Sequence, residues 1–301
     1  MDDLNQVGRG SAILPAKVQF LQAISVGTRI ILPPGFRGGP RYMHAQFQNA
    51  MAIVRKLGKP DFFITVTCNP QWPEIQRALP EGVDWHDSPS IVCRVFNMKL
   101  KRILADLREH SVLGRVQAYM YTVEFQKRGL PHAHILLIMH PEDKPREPED
   151  VDRCVRATIP EPGDPNFTPR LRELVLANMV HGPCGSIDPK CPCMQSNRRP
   201  GKCKSNFPKE YREITSMATN SYPQYRRPPP EGDRCRVERR RKGKDYEITN
   251  ADIVPYNPYL LQKYETHLNA EVCNTIDSVK YIYKYILKGI AGDQAQATAG
   301  P

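Results

Sequence analysis

The chain has 301 residues, with 43 Lys and Arg against 32 Asp and Glu for a net charge of +11, and 40% of its residues are hydrophobic. That length supports a sizeable core without disulfide staples. No run approaches the roughly 18 consecutive apolar residues of a membrane span, and the N-terminal MDDLNQVGRG lacks the basic-then-apolar pattern of a signal peptide, so a soluble intracellular protein is expected.

Residues 1–40 run into a Gly- and Pro-rich stretch, LPPGFRGGP, and read as an N-terminal arm. From Tyr42, the apolar positions Met43, Phe47, Ala50, Met51 and Val54 recur at helical spacing until Gly58 and Pro60 close the pattern, which predicts a core-facing helix. DFFITVTCN (61–69) is β-branched, aromatic and bounded by prolines, hence a strand. A second helix is expected over about 90–109, where Val92, Phe96, Leu100, Ile103 and Leu107 form a stripe. VQAYMYTVEF (116–125) and HAHILLIMH (132–140) flank the short loop QKRGLP and predict an antiparallel hairpin.

After Pro141 the composition turns to charge, Pro and Cys, with one convincing helix at 171–180, so 141–245 reads as a Cys-rich basic insertion between 41–140 and 246–289. Within it, residues 198–244 hold 15 Lys or Arg against 5 Asp or Glu. A basic excess so concentrated, with no amphipathic apolar face beside it, fits a polyanion, nucleic acid before membrane, although a solvated loop would carry the same charge. Arg234, Arg236, Arg239, Arg240, Arg241, Lys242 and Lys244 are the candidate DNA contacts. YETHLNAEVC alternates like a strand, SVKYIYKYILKG predicts a helix ending at Gly289, and 290–301 reads as a disordered low-complexity tail.

Three constellations could carry chemistry. On a strand, residues i and i+2 share a face, so His132 and His134 project side by side, with Leu136 next along. Two satisfied polar residues at a strand start would look the same. The hairpin, however, brings Glu124 and Gln126 of the preceding strand alongside, completing a His, His, oxygen set suited to Mg²⁺, Mn²⁺ or Zn²⁺. The hydrolase pattern H-x-H-x-D-H is not met, because Leu136 stands where its Asp would be.

On the terminal helix, Tyr281 and Tyr285 lie about 40° apart on one face, flanked by Lys284 and Lys288. They are a packing stripe, or a phenol pair with cations for phosphate chemistry. His181, Cys184, Cys191, Cys193 and Cys203 crowd together at the irregular spacing C-x6-C-x-C-x9-C and are candidate ligands of one structural Zn²⁺, against the alternative of incidental thiols.

FITVTCNPQWPEI (63–75), YTVEFQKRGLPHAHILL (121–137), MVHGPCG (179–185), GKCKSNFPKEY (201–211) and SVKYIYKYILKG (278–289), in this order, resemble the helicase-like N-terminal, or Rep, domain of Helitron rolling-circle transposases across about 30–289. That family belongs to the HUH endonucleases. The resemblance implies an α+β fold, an antiparallel sheet flanked by helices, and a nuclear single-strand DNA nicking and joining enzyme. It implies that His132, Ala133 and His134 form the H-U-H triplet holding Mg²⁺ or Mn²⁺. Tyr281 and Tyr285 match the tyrosine pair that forms a 5′-phosphotyrosine with transposon ends. Gln126 or Glu124 would be the third ligand, with Glu271 as an outside candidate. Full members continue into a helicase with a P-loop; no G-x-x-x-x-G-K-[ST] is present in this sequence, so nicking without unwinding is expected.

Overall fold

The computed structural model describes residues 31–37, 39–125, 129–195, 201–217, 222–241, 243–273 and 294–299. Helix α1 (Pro40–Leu57) opens with proline at its first turn, where a missing N–H costs nothing, and stops at Gly58, whose φ of 93° lets its N–H close on the Val54 carbonyl. Strand β1 (Phe62–Thr67) follows, then the short α2 (Pro73–Ala78) and the long α3 (Pro89–Arg108). The hairpin of β2 (Val116–Phe125) and β3 (Pro131–Met139) is antiparallel, as its loop length requires.

Two short helices, α4 (Pro148–Cys154) and α5 (Pro169–Asn178), come next, then the hairpin β4 (Arg236–Arg241) and β5 (Lys244–Thr249), α6 (Pro258–Tyr264), β6 (Leu268–Val272) and β7 (Gln294–Ala299). The main sheet has the order β6-β1-β3-β2-β7, every pair antiparallel. The protein is thus α+β, an antiparallel sheet flanked by helices.

β3 is central and buried at all nine of its positions, which explains why its apolar run does not alternate. On one face Phe62, Ile64, Val66, Ala133, Ile135 and Leu137 pack against α3 through Val92, Phe96, Leu100, Ile103 and Leu107. On the other, Leu136, Ile138, Ala118 and Met120 meet Met43, Ala50 and Val54 of α1. α1 lies over the Leu136–Ile138 end of β3; the two histidines continue that face toward the strand start. No helix among the described residues is long and apolar enough to cross a membrane.

Three expectations differ from the described structure. Of the stretch 290–301, expected as a disordered tail, the described residues Gln294–Ala299 form a strand beside β2. Backbone pairing on an exposed sheet edge needs no apolar side chain, so composition could not reveal it. The stretch 141–245 holds α4 besides the expected helix, since seven residues are too few to show a period; Asp150 secures its start by accepting the Glu147 N–H at 3.2 Å. α5 begins at Pro169, two residues ahead of expectation, because Thr168 Oγ1 accepts the Leu171 N–H at 2.9 Å. Its apolar side joins Ile159, Ile248, Tyr256 and Leu261 in a separate small core.

Candidate metal and nucleic-acid site

The strand registers lay the candidate residues out as a grid on the α1 face of the sheet. Glu124, His132 and Thr67 form one transverse row. Thr122, His134, Thr65 and Asn269 form the next, and Met120, Leu136, Phe63 and Glu271 the third. Ala133 points the other way, into the α3 core. The H-A-H triplet therefore splits between two environments, with imidazoles on one side and packing on the other.

His132 and His134 are each only 5% exposed. His132 Nδ1 donates to the Leu130 carbonyl at 3.1 Å, which fixes its tautomer and leaves Nε2 as the ligating nitrogen. His134 meets Thr65 Oγ1 through Nδ1 and Glu124 Oε1 through Nε2, both at 3.1 Å, and its ring stacks parallel to Phe63. Burial pushes both histidines below their ordinary pKa, outweighing the Leu130 bond at His132 and the Glu124 carboxylate at His134. That direction favours the neutral ring a metal ligand needs.

Glu124 faces His132 in register yet contacts His134 diagonally. The three donors are not drawn around a single point: among the described residues, the His/Cys/Asp/Glu set whose ligand atoms all lie within 4.8 Å of one another is a different one. Glu271 sits on the same face but a row removed from His134, where burial raises its carboxyl pKa and Oε1 accepts from Asn269 at 3.2 Å. Gln126, Lys242, Tyr281, Lys284, Tyr285 and Lys288 lie outside the described residues.

That closer set is His181, Cys184, Cys193 and Cys203. His181 is fixed by its N–H to the Asp252 carbonyl (2.8 Å) and by stacking on Phe207 at 4.1 Å, and its Nε2 lies 3.3 Å from Cys203 Sγ. Burial raises the Cys184 and Cys193 thiols. It acts the same way on Cys203, but N–H groups of Phe207 and Ser205 overcome it and lower that thiol. Three sulfurs and one imidazole nitrogen fit tetrahedral Zn²⁺. Cys191 falls outside the set, its Sγ 3.5 Å from that of Cys193.

The described end of the basic segment forms a hairpin with carboxylates on its second strand. Arg236, Arg239, Arg240 and Lys244 are exposed on the β4–β5 hairpin, and Arg234 on the turn before it. Two of these arginines meet carboxylates of the partner strand, Arg236 to Glu247 at 3.5 Å and Arg240 to Asp245 at 3.6 Å. Arg241 lies on β4 as well.

Residues 19–137 match the family model described as the Helitron helicase-like domain at N-terminus. The match supports a Helitron-related protein. No curated protein matches the chain. The Helitron-like segment takes in α1 through most of β3, with Glu124, His132 and His134, and ends before the Cys/His cluster. Sequence reasoning did not single out Thr65, Thr122, His267 or Asn269 on this face; the polar alternation His267, Asn269, Glu271 was the available signal. Thr122 Oγ1, in the row of His134, is buried without a hydrogen-bond partner among the described residues.

Proposed function

We propose that the chain is a metal-dependent single-strand DNA endonuclease and strand transferase of the rolling-circle, Helitron type. The observation that carries this is the pair of buried imidazoles on the central strand, with Glu124 in contact with His134, inside the segment that matches the Helitron helicase-like domain. An antiparallel sheet with H-A-H on its middle strand is also what the resemblance to HUH endonucleases requires.

Two nitrogens and a carboxylate oxygen suit Mg²⁺ or Mn²⁺, and His132, His134 and Glu124, with Gln126 as the alternative oxygen donor, would hold it. Bound there, the ion would withdraw charge from the scissile phosphate. The Leu130 carbonyl keeps His132 in one tautomer, Thr65 and Phe63 set the plane of His134, and α1 keeps water from the adjacent sheet face.

The phenol oxygen of Tyr281 or Tyr285 would bond to phosphorus while the bond from phosphorus to the 3′ oxygen breaks. The phenol loses its proton and the departing 3′ oxygen gains one, leaving a 5′-phosphotyrosine and a free 3′-OH. Lys284 and Lys288 would screen the phosphate, and the second tyrosine would serve the joining step. Zn²⁺ at His181, Cys184, Cys193 and Cys203 would be structural.

The test is incubation with labelled single-stranded oligonucleotides, including element ends, and Mn²⁺, followed by a denaturing gel. A covalent adduct is expected, lost in Tyr281→Phe/Tyr285→Phe and in His132→Ala/His134→Ala. Cleavage that survives the double tyrosine variant overturns the mechanism. DNA binding without an adduct on a cognate end points instead to a non-catalytic binding module.

A further inference from the structure

Cys191 is left over by the four-ligand set yet touches one of its members. Residues Cys191 to Met194 form a turn closed by the Met194 N–H on the Cys191 carbonyl at 2.8 Å. Pro192 stands second in that turn, where its fixed φ suits the backbone. The turn brings the two cysteine sulfurs side by side, Sγ to Sγ 3.5 Å. A disulfide spans about 2.05 Å, so closing one here takes an approach of about 1.5 Å.

The two cysteines differ in what holds them. Cys193 is 6% exposed and belongs to the set with His181, Cys184 and Cys203. Its carbonyl accepts the Lys204 N–H at 2.9 Å, which pins the turn to the chain beside Cys203. Cys191 is half-buried, next to the exposed Pro192, and its sulfur is outside the set. An accessible thiol against a sulfur that a metal would hold as thiolate is the arrangement of a resolving cysteine. Elsewhere burial raises the thiols of Cys68, to about 12, and of Cys93, Cys154 and Cys235, away from the thiolate that oxidants attack.

We propose that Cys191 and Cys193 are a redox modification site, closed to a disulfide by hydrogen peroxide and reopened by a thiol reductant. Peroxide gives one oxygen to one of the two sulfurs, forming a sulfenic acid, and its O–O bond breaks to release water. The other sulfur then bonds to the oxidised one, and the sulfenic oxygen leaves with a thiol proton as a second water. A metal-bound Cys193 brings no proton, and the oxygen then leaves as hydroxide. The pair gives up two electrons to the peroxide. Closure also takes one donor from the zinc set, leaving His181, Cys184 and Cys203, one short of a tetrahedron. The inference rests on zinc occupying that set.

The test exposes the full chain, purified with its zinc and freed of reductant, to hydrogen peroxide, and reads released zinc with a metallochromic dye. Residues 191–198 make one tryptic peptide, between Lys190 and Arg198. The bridge is read in that peptide by mass spectrometry, as the loss of two hydrogens and resistance to alkylation. Zinc release and bridge formation are expected to rise together, and dithiothreitol with added Zn²⁺ should reverse both. Cys191→Ser, which keeps all four ligands, should start with its zinc and release it about tenfold more slowly. Cys235→Ser should behave as the wild type.

Equal release from Cys191→Ser and the wild type overturns the inference. So does zinc that peroxide leaves in place, or a wild-type peptide that stays open while zinc is lost, and these two readouts need no variant to fold. A chain purified without zinc would sink the zinc reading alone, and the bridge in the 191–198 peptide would still decide the sulfur pair.

Discussion

Glu124 and His134 are joined diagonally across the β2–β3 hairpin: the carboxylate stands opposite His132 in register but meets His134 Nε2 at 3.1 Å. Thr65 holds the other nitrogen of the same ring. His134 is therefore oriented from both ends, and its Nε2, which donates to the carboxylate, would have to exchange that proton for the metal in order to ligate.

Removing that carboxylate should weaken metal binding more than it weakens the fold. Glu124→Ala is expected to raise the Mn²⁺ concentration needed for half-maximal adduct by about 10–100-fold, the usual effect of losing a ligand-orienting partner. Glu124→Gln, which keeps an oxygen but not the charge, should fall between. Titrating Mn²⁺ against adduct yield measures both, and an unchanged midpoint in Glu124→Ala would leave Gln126 as the oxygen donor.

The Cys/His cluster makes a sharper demand, since it excludes one of the cysteines that the spacing had included. The purified chain should carry one zinc, lost in Cys184→Ser, Cys193→Ser and Cys203→Ser but kept in Cys191→Ser. Elemental analysis after gel filtration decides it. Loss of the metal should also lower the melting temperature, because binding at such a site is folding free energy.

What the sequence revealed and concealed follows from the physics of each element. The α1 and α3 stripes and the hairpin strands were legible because a helical period over 18 and 20 residues, or an apolar run ending in a short Gly loop, has few alternative explanations. H-A-H was legible as a shared face, since strand geometry makes that unavoidable. Which carboxylate meets which histidine was not, because a diagonal contact depends on side-chain reach and not on register. Nor did composition reveal that Arg236 reaches Glu247 diagonally and that Arg240 faces Asp245; a charge run read in one dimension does not show what the partner strand brings.

Those cross-strand carboxylates predict an uneven contribution to DNA binding. Arg239, which faces Tyr246 in the register, should reduce the slope of log affinity against log salt by about 1 when changed to alanine. Arg240→Ala should do less, because Asp245 already screens that charge, and Asp245→Ala should strengthen binding. Equilibrium binding to a single-stranded oligonucleotide at several salt concentrations distinguishes the residues; equal slopes for Arg239→Ala and the wild type would remove the hairpin from the DNA path.

A buried carboxylate away from the site should govern acid stability. Asp106, on α3 and 2% exposed, accepts from Lys263 Nζ at 2.7 Å, Tyr264 Oη at 2.7 Å and His110 Nδ1 at 2.9 Å, so it ties α3 to α6. Burial alone would raise its pKa, but the three donors outweigh burial and hold it below its ordinary 3.8. Between the folded and unfolded pKa values the unfolded chain binds more protons, so stability rises with pH across that window. The contribution is in place above about 3.8 and fades as pH falls through the folded value. Asp106→Asn should therefore cost about 2–3 kcal/mol near neutral pH, the scale of hydrogen bonds to a charged group. The gap between variant and wild type should narrow as pH drops below about 3.8. Urea unfolding followed at neutral and acid pH measures it, and a gap that stays constant down to the acid limit would assign the loss to packing rather than to the charge.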